Sequence, residues 1–333
     1  MTMEAASIAV IIPLYNGSAF IEQTLQSVFS QTLPAEEVIV VDDGSTDDGP
    51  RIVERIALTH PVRLLRKPNG GQSSARNFGI AHASAPLIAL LDQDDLWYRD
   101  HLETLARPFA EARSVDLGWV YSNLDEIDRE GGLVCRDILN QTPSTHPKLS
   151  LQNCLAADMF ILPTASLISR VAFERVGGFD ERLSGFEDDD FFLRLFRAGF
   201  DNIYIGKALA QWRIFPESAS FSQRMAVSRM IYLRKLVAQY PDDARRGRFY
   251  VRDQIAPRFF PWLVREFRLA LMRGDPEQIR TAWNDLSYVS PLCRRKIRIV
   301  MALLLPVLRV DWLAKGVLPA GEVLRPFFRR ILR

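Results

Sequence analysis

The sequence predicts an α/β fold: a mostly parallel sheet flanked by helices, followed by a helical, basic C-terminal region. Three observations carry this. Apolar runs alternate with segments of helical spacing through the first 100 residues. Acidic and turn-forming residues stand where those runs end, and strand signal fades beyond Ser222. Strands alternating with helices imply a parallel sheet covered on both faces.

Ala6 to Leu14 is an apolar run that reads as the first strand. Asn16-Gly17-Ser18 supplies a helix start, and Phe20, Ile21, Thr24, Leu25, Val28 and Phe29 recur at helical spacing over Ala19 to Gln31. Glu37 to Val41 is a second strand, Ile52 to Leu58 lies on a second helix, and Arg63 to Leu65 is a short strand. Ser73 to Ala83 reads as a helix and Pro86 to Leu91 as a buried strand. Trp97 to Arg113 is expected to be helical and Gly118 to Asn123 extended. Asp125 to His146 is turn-rich and reads as a loop or hairpin, Ser166 to Ser169 as a short strand, and Phe191 to Ala198 as part of a helix that starts near Glu187. The expected division is 1–220 for the α/β domain and 221–333 for the helical region.

At 333 residues, 48% hydrophobic, the chain is long enough for one large domain or two ordinary ones. Cys135, Cys154 and Cys293 are odd in number and widely spaced, which fits a reducing compartment and argues against a disulfide framework or structural zinc. The first residues show no secretory leader, so none is expected. The net charge of +2 conceals a division: residues 1–220 hold 19 Lys/Arg against 31 Asp/Glu, and residues 221–333 hold 23 against 9. That asymmetry points to an anionic partner for the C-terminal part.

Leu90-Leu91-Asp92-Gln93-Asp94-Asp95 places three carboxylates at the end of a buried strand. Asp-rich turns also serve as caps, but carboxylates that repel one another become favourable around Mg²⁺ or Mn²⁺. Two more strand ends, Pro13-Leu14-Tyr15-Asn16 and Asp42-Asp43-Gly44-Ser45, fall on the same edge, where open parallel sheets bind ligands. Tyr15 is either a turn residue or a platform for a nucleobase. A carboxylate of the Asp42–Asp47 stretch either ends a strand or accepts the imide N–H of uracil. Arg76 either pairs with an Asp at the surface or holds a phosphate or a base edge. The run Glu187-Asp188-Asp189-Asp190 exceeds what helix capping needs, and suits a carboxylate that takes a proton from an acceptor hydroxyl.

In these ordered motifs the sequence resembles the family 2 glycosyltransferases of the GT-A fold. The pieces are Ile11-Ile12-Pro13-Leu14-Tyr15-Asn16, Val40-Val41-Asp42-Asp43-Gly44-Ser45-Thr46-Asp47, Asn69-Gly70-Gly71 with Ala75-Arg76-Asn77, Leu91-Asp92-Gln93-Asp94-Asp95, Gly177-Gly178-Phe179-Asp180 and Glu187-Asp188. The resemblance covers about residues 6–220. It implies that Pro13, Tyr15, Asn16 and Asp43, with Arg76 nearby, hold the nucleotide. Asp92 and Asp94 serve the donor, with Asp94 and Asp95 at a divalent cation, Mg²⁺ or Mn²⁺. Asp188 is the implied general base, with Glu187 orienting it or the acceptor, and with Asp189 or Asp190 as alternatives for the base. The implied reaction is inverting transfer of one sugar from a nucleotide sugar, of the UDP class, to a saccharide or lipid-linked acceptor. Many relatives carry an aromatic-Arg-x-His segment whose His can help bind the metal; here it reads Trp212-Arg213-Ile214-Phe215. The Gln-x-x-Arg-Trp segment of processive polymerases is absent.

Ile299 to Leu308 is apolar but too short for a bilayer core of ~30 Å. Basic residues mixed with Trp312, Phe327, Phe328 and leucines suit an anionic membrane interface; the alternative is a face packed on the catalytic domain or a second subunit. The expected setting is peripheral, on the cytoplasmic side of the membrane. No nucleic-acid module is present. Two rivals stand beside the transferase reading. A non-catalytic nucleotide-sugar scaffold is suggested by Phe215. A nucleotidyltransferase would need basic residues near the first strand, and Leu14 to Phe20 has none.

Overall fold

A computed structural model describes residues 7–111, 116–215 and 223–308. The described residues form two compact units, one within Met1–Leu151 and Asp158–Arg229, the other within Gln152–Ala157 and Met230–Arg333.

The first unit is built on a nine-stranded sheet. β1 (Ile8–Leu14), β2 (Glu37–Asp42), β3 (Arg63–Arg66) and β4 (Leu87–Leu90) run parallel in the order β3-β2-β1-β4. Their crossovers are α1 (Ile21–Phe29), α2 (Gly49–Ala57) and α3 (Gln72–Ala81). Every residue of β1 is buried, as a strand covered on both faces must be. α3 approaches so closely that a Cβ on Gly79 would lie 2.6 Å from Ile11 Cγ2 and 2.9 Å from Val41 Cγ2. Chain order reverses between β1 and β4, which opens a crevice at their carboxyl ends.

Past β4 the sheet is mixed. β8 (Ser166–Ser169) runs antiparallel to both β4 and β6 (Leu117–Ile127). β6 runs parallel to β9 (Asp201–Arg213), and β5 (Leu96–Trp97) closes the order antiparallel to β9. The parallel half agrees with expectation. The reversal at β8 does not show in the sequence, because a short apolar run marks a strand but not its direction. β7 (Leu133–Cys135) forms a hairpin with β6, within the segment expected to be a loop or hairpin.

Two elements depart from the sequence reading. β9 gave no clear strand pattern because it is half-exposed and its pairing with β6 shifts register repeatedly. The helix expected from Trp97 begins only at His101, as α4 (His101–Glu111). The Gln31 side chain sets that start, accepting from Leu102 N–H at 3.0 Å while donating to Tyr98 O at 2.8 Å. The first unit also carries α6 (Arg170–Val176) and α7 (Glu187–Arg197).

The second unit is helical. It takes in residues of α5 (Leu151–Ala156) and α8 (Gln223–Gln239), with α9 (Ala256–Arg273), α10 (Pro276–Val289) and α11 (Arg295–Leu308). Tyr232, Leu236, Phe259, Leu263, Leu286 and Val289 are among its buried side chains. Among the described residues no helix is long and apolar enough to cross a membrane. Trp312, Phe327 and Phe328 lie outside the described residues.

Candidate active site

The crevice between β1 and β4 is stitched together by side chains. Tyr15 N–H donates to Gln93 Oε1 at 2.8 Å, and Gln93 Nε2 donates back to Tyr15 O at 3.1 Å. Gln93 thus continues the strand pairing beyond the last backbone partners and leaves the Tyr15 ring 45% exposed. Asn16, at φ 50°, accepts from Thr46 N–H at 2.8 Å, and its own N–H donates to Ser45 Oγ at 3.1 Å. Pro13 is buried within β1 opposite Val41. Asp47 receives the N–H groups of Ser18 at 2.8 Å and Gly49 at 2.9 Å. Burial alone would raise its pKa, but these donors hold it below the usual carboxylate range.

Asp43 is only 2% exposed. It accepts from Lys67 Nζ at 2.6 Å and from the N–H groups of Gly70 at 2.9 Å and Gly71 at 2.7 Å. Gly71 meets this geometry at φ +87°, where an L side chain would be strained. Asp43 therefore fixes the loop that leads into α3, and its carboxylate offers little open surface.

Arg76 on α3 is fully buried. Its Nη2 donates to Asp92 Oδ1 at 2.6 Å and its Nη1 to Glu187 Oε1 at 3.0 Å. Burial alone would lower its pKa, but Asp92 and Glu187 outweigh that and raise it. Gln72 also donates to Asp92, at 2.9 Å. Arg76 is thus a buried clamp between the two acidic clusters and not the surface arginine that the sequence left open.

The two clusters divide their labour. Asp95 is buried, and its oxygens accept from Thr164 Oγ1 at 2.6 Å and Arg213 N–H at 2.9 Å. Burial, then Asp94 and Asp92, push its pKa well up. Asp94 is partly exposed, and its carboxylate makes no salt bridge among the described residues. Burial, with Asp92 beside it, raises its pKa to about 6. At the start of α7, Glu187 is taken by Arg76, Asp189 accepts from Met159 N–H at 2.7 Å, and Asp190 pairs with Arg194 Nε at 2.8 Å. Asp188 is the one of the four that is only partly buried, and its carboxylate accepts from the N–H of the adjacent Asp189 at 2.8 Å. Burial, then Glu187, Asp158 and Asp189, push its pKa well up, which strengthens it as a base. Phe186, which precedes the run, is held at φ 61°, the kind of strained backbone that gathers at functional sites.

Among the described residues no three His, Cys, Asp or Glu side chains converge as a ready metal cluster. The donor chemistry nonetheless fits a hard cation held by one or two carboxylates and completed by water and substrate phosphates, as Mg²⁺ prefers. Asp94 supplies a partly exposed carboxylate with no direct salt bridge among the described residues, and Asp95 stands behind it. Phe215 cannot ligate. Its ring packs 5.3 Å from that of Phe20, with the Arg129 guanidinium 5.4 Å from its centroid. Thr164, Gln93 and Arg213 were given no role from sequence, although all three shape the acidic turn. Gln93 and Arg213 stand inside quoted motifs, whereas Thr164, in a turn before β8, gives no local signal.

A crevice at a sheet reversal point, edged by carboxylates and an exposed aromatic ring, marks an α/β protein of the open-sheet kind that places its ligand site at the strands' carboxyl ends. The chain belongs to glycosyl transferase family 2, whose family model matches residues 9–177. It is 33% identical to a chondroitin synthase of Escherichia coli over 193 residues, 58% of this chain and 27% of that protein. Matches to the first curated relatives span 27–31% of their lengths. The fold is shared with S. aureus TarS 1-349 in complex with UDP-GlcNAc, at a TM-score of 0.65 and 19% identity, covering 93% of this chain and 88% of that one. It is also similar to the mannosyltransferase PcManGT from Pyrobaculum calidifontis in complex with GDP-Man and Mn²⁺, at a TM-score of 0.50 and 24% identity, covering 95% of this chain and 86% of that one.

Proposed function

We propose that this chain transfers one sugar from a nucleotide sugar, of the UDP class, to a hydroxyl of a saccharide or lipid-linked acceptor in cell-surface glycan synthesis, inverting the anomeric centre. The observation that carries this reading is the Arg76 clamp. It draws the carboxylates after β4 and those of α7 to one site, and leaves Asp94, beside Asp92, and Asp188, beside Glu187, outside its ion pairs.

Tyr15 offers an exposed ring for the base, on an edge shaped by Pro13, Asn16 and Asp43. Asp94, with Asp95 behind it, would hold a divalent cation, which when bound offsets the charge of the departing diphosphate. Asp188 takes the proton of the acceptor hydroxyl as its oxygen bonds to the anomeric carbon. The bond from that carbon to the diphosphate oxygen breaks on the opposite face, so configuration inverts. Glu187, held by Arg76, orients the start of α7. The UDP preference is supported by the likeness to TarS, which is described with UDP-GlcNAc.

We assign the transfer site to residues 1–220 and a basic, membrane-surface role to residues 221–333, peripheral on the cytoplasmic face, with a homo-oligomer compatible with either role. Calorimetric titration with UDP, GDP and TDP, with and without Mn²⁺, tests the donor class. Metal-enhanced binding of UDP alone is expected. A folded protein that binds none of them would favour the scaffold reading that Phe215 suggests.

A further inference from the structure

We propose that the second unit carries a phosphate-binding hollow at the start of α11, and that it seats the headgroup of an anionic phospholipid. Arg252, Asp253, Cys293, Arg294, Arg295 and Arg298 line a cavity of about 490 Å³. Asp253 is fully engaged: Arg252 reaches it through Nε at 3.1 Å and Nη2 at 2.8 Å, and Arg294 through Nε at 3.0 Å. Those hydrogen bonds hold its carboxylate below the usual range, so it stays charged. The Arg252 guanidinium also lies 3.7 Å from the Phe249 ring centroid, which fixes its plane. Four guanidiniums against one carboxylate leave a strong positive excess in the hollow.

Arg295 and Arg298 have no carboxylate partner among the described residues. Cys293 is buried, and its thiol, pushed up to about 12 by burial, adds no charge. Planar guanidinium forks converging on one space match a phosphate better than a single-point anion. The same helix points to the source of that phosphate. Ile299, 50% exposed, and Leu303, 71% exposed, continue at i+4 and i+8 from Arg295, while Ile297 and Met301 face inward. Cations at one end of an exposed stripe and apolar side chains at the other match the boundary between headgroups and acyl chains.

This inference rests on the membrane-surface role proposed above and is independent of the transfer chemistry. The full chain is floated with phosphatidylcholine vesicles, with and without phosphatidylglycerol. Binding is expected only with phosphatidylglycerol. R295Q/R298Q should weaken it roughly 30-fold, the loss of two surface cations. R245Q/R246Q removes two exposed cations elsewhere in the same unit and should weaken it far less. Equal loss in the two variants, or none in R295Q/R298Q, overturns the hollow. A wild-type chain that ignores phosphatidylglycerol overturns the membrane role itself. Saturable binding of pyrophosphate without vesicle binding overturns the lipid source. UDP titration of both variants should be unchanged, since none of these residues belongs to the donor site.

Discussion

Replacing Arg76 by Met removes a cation that serves two carboxylates from inside the protein. The Arg76 side chain is 1% exposed, Glu187 9% and Asp92 26%. Breaking a buried pair by deleting one partner costs about 3–5 kcal/mol, because a charge is left uncompensated. Glu187 should bear most of this. Asp92 keeps its Gln72 donor and some water, so the total should fall near 4 kcal/mol, a large share of the ~5–15 kcal/mol typical of a domain. R76K should fall between, since an ammonium cannot span both partners as a guanidinium fork does. Adding Glu187→Gln to R76M should restore at least about 1 kcal/mol by removing the stranded charge. Denaturant titration of the four proteins measures this, and constant m-values would show that the unfolded state is unchanged. A loss below about 1 kcal/mol in R76M, or no recovery in the double variant, would refute the clamp.

Asp188→Asn should lower turnover by about 10²–10⁴-fold with UDP affinity intact, and an isotherm that weakens in parallel would move Asp188 from proton transfer to donor binding. Asp94→Ala should instead weaken Mn²⁺-dependent UDP binding, read by calorimetry, while metal-free UDP binding changes little. Gly79→Ala should cost about 1–3 kcal/mol by overpacking, since its methyl would press on Ile11 and Val41; an unchanged denaturation midpoint would show that α3 can lift off the sheet. His101 is buried against Trp97, donates through Nδ1 to Leu209 O at 3.0 Å, and burial lowers its pKa to about 3. The unfolded chain binds the His101 proton near 6.5 and the folded chain does not, so its contribution is complete above about pH 6.5 and is lost as pH falls toward 3. His101→Phe should flatten stability against pH in that window by about 1.4 kcal/mol per pH unit, and an unaltered slope would argue against a neutral buried ring.

The parallel half of the sheet was legible because its strands are apolar runs and its helices keep strict spacing. β9 was not, since Lys207 and the register shifts against β6 erase alternation, and the direction of β8 leaves no trace in four residues. At the site, the residue types were visible but their partners were not. Asp43 and Asp95 read as open ligands, yet backbone N–H groups and the Thr164 hydroxyl engage them, and such partners are invisible in a linear pattern. The distinction of Asp188 from Asp189 and Asp190 came only from where Arg194 and Met159 N–H point.

The Arg76–Glu187 pair joins positions 111 residues apart. A contact of that span forms only after the intervening chain has been gathered, because loop closure must come first. While the chain is being made, Arg76 is already present and Glu187 is not. The proposed transfer site is therefore assembled late, and in a chain that stops short of α7 its two acidic clusters cannot be brought together. Completion of this single charge contact marks the joining of α3 to α7, a step that β9, later in the chain, still has to follow.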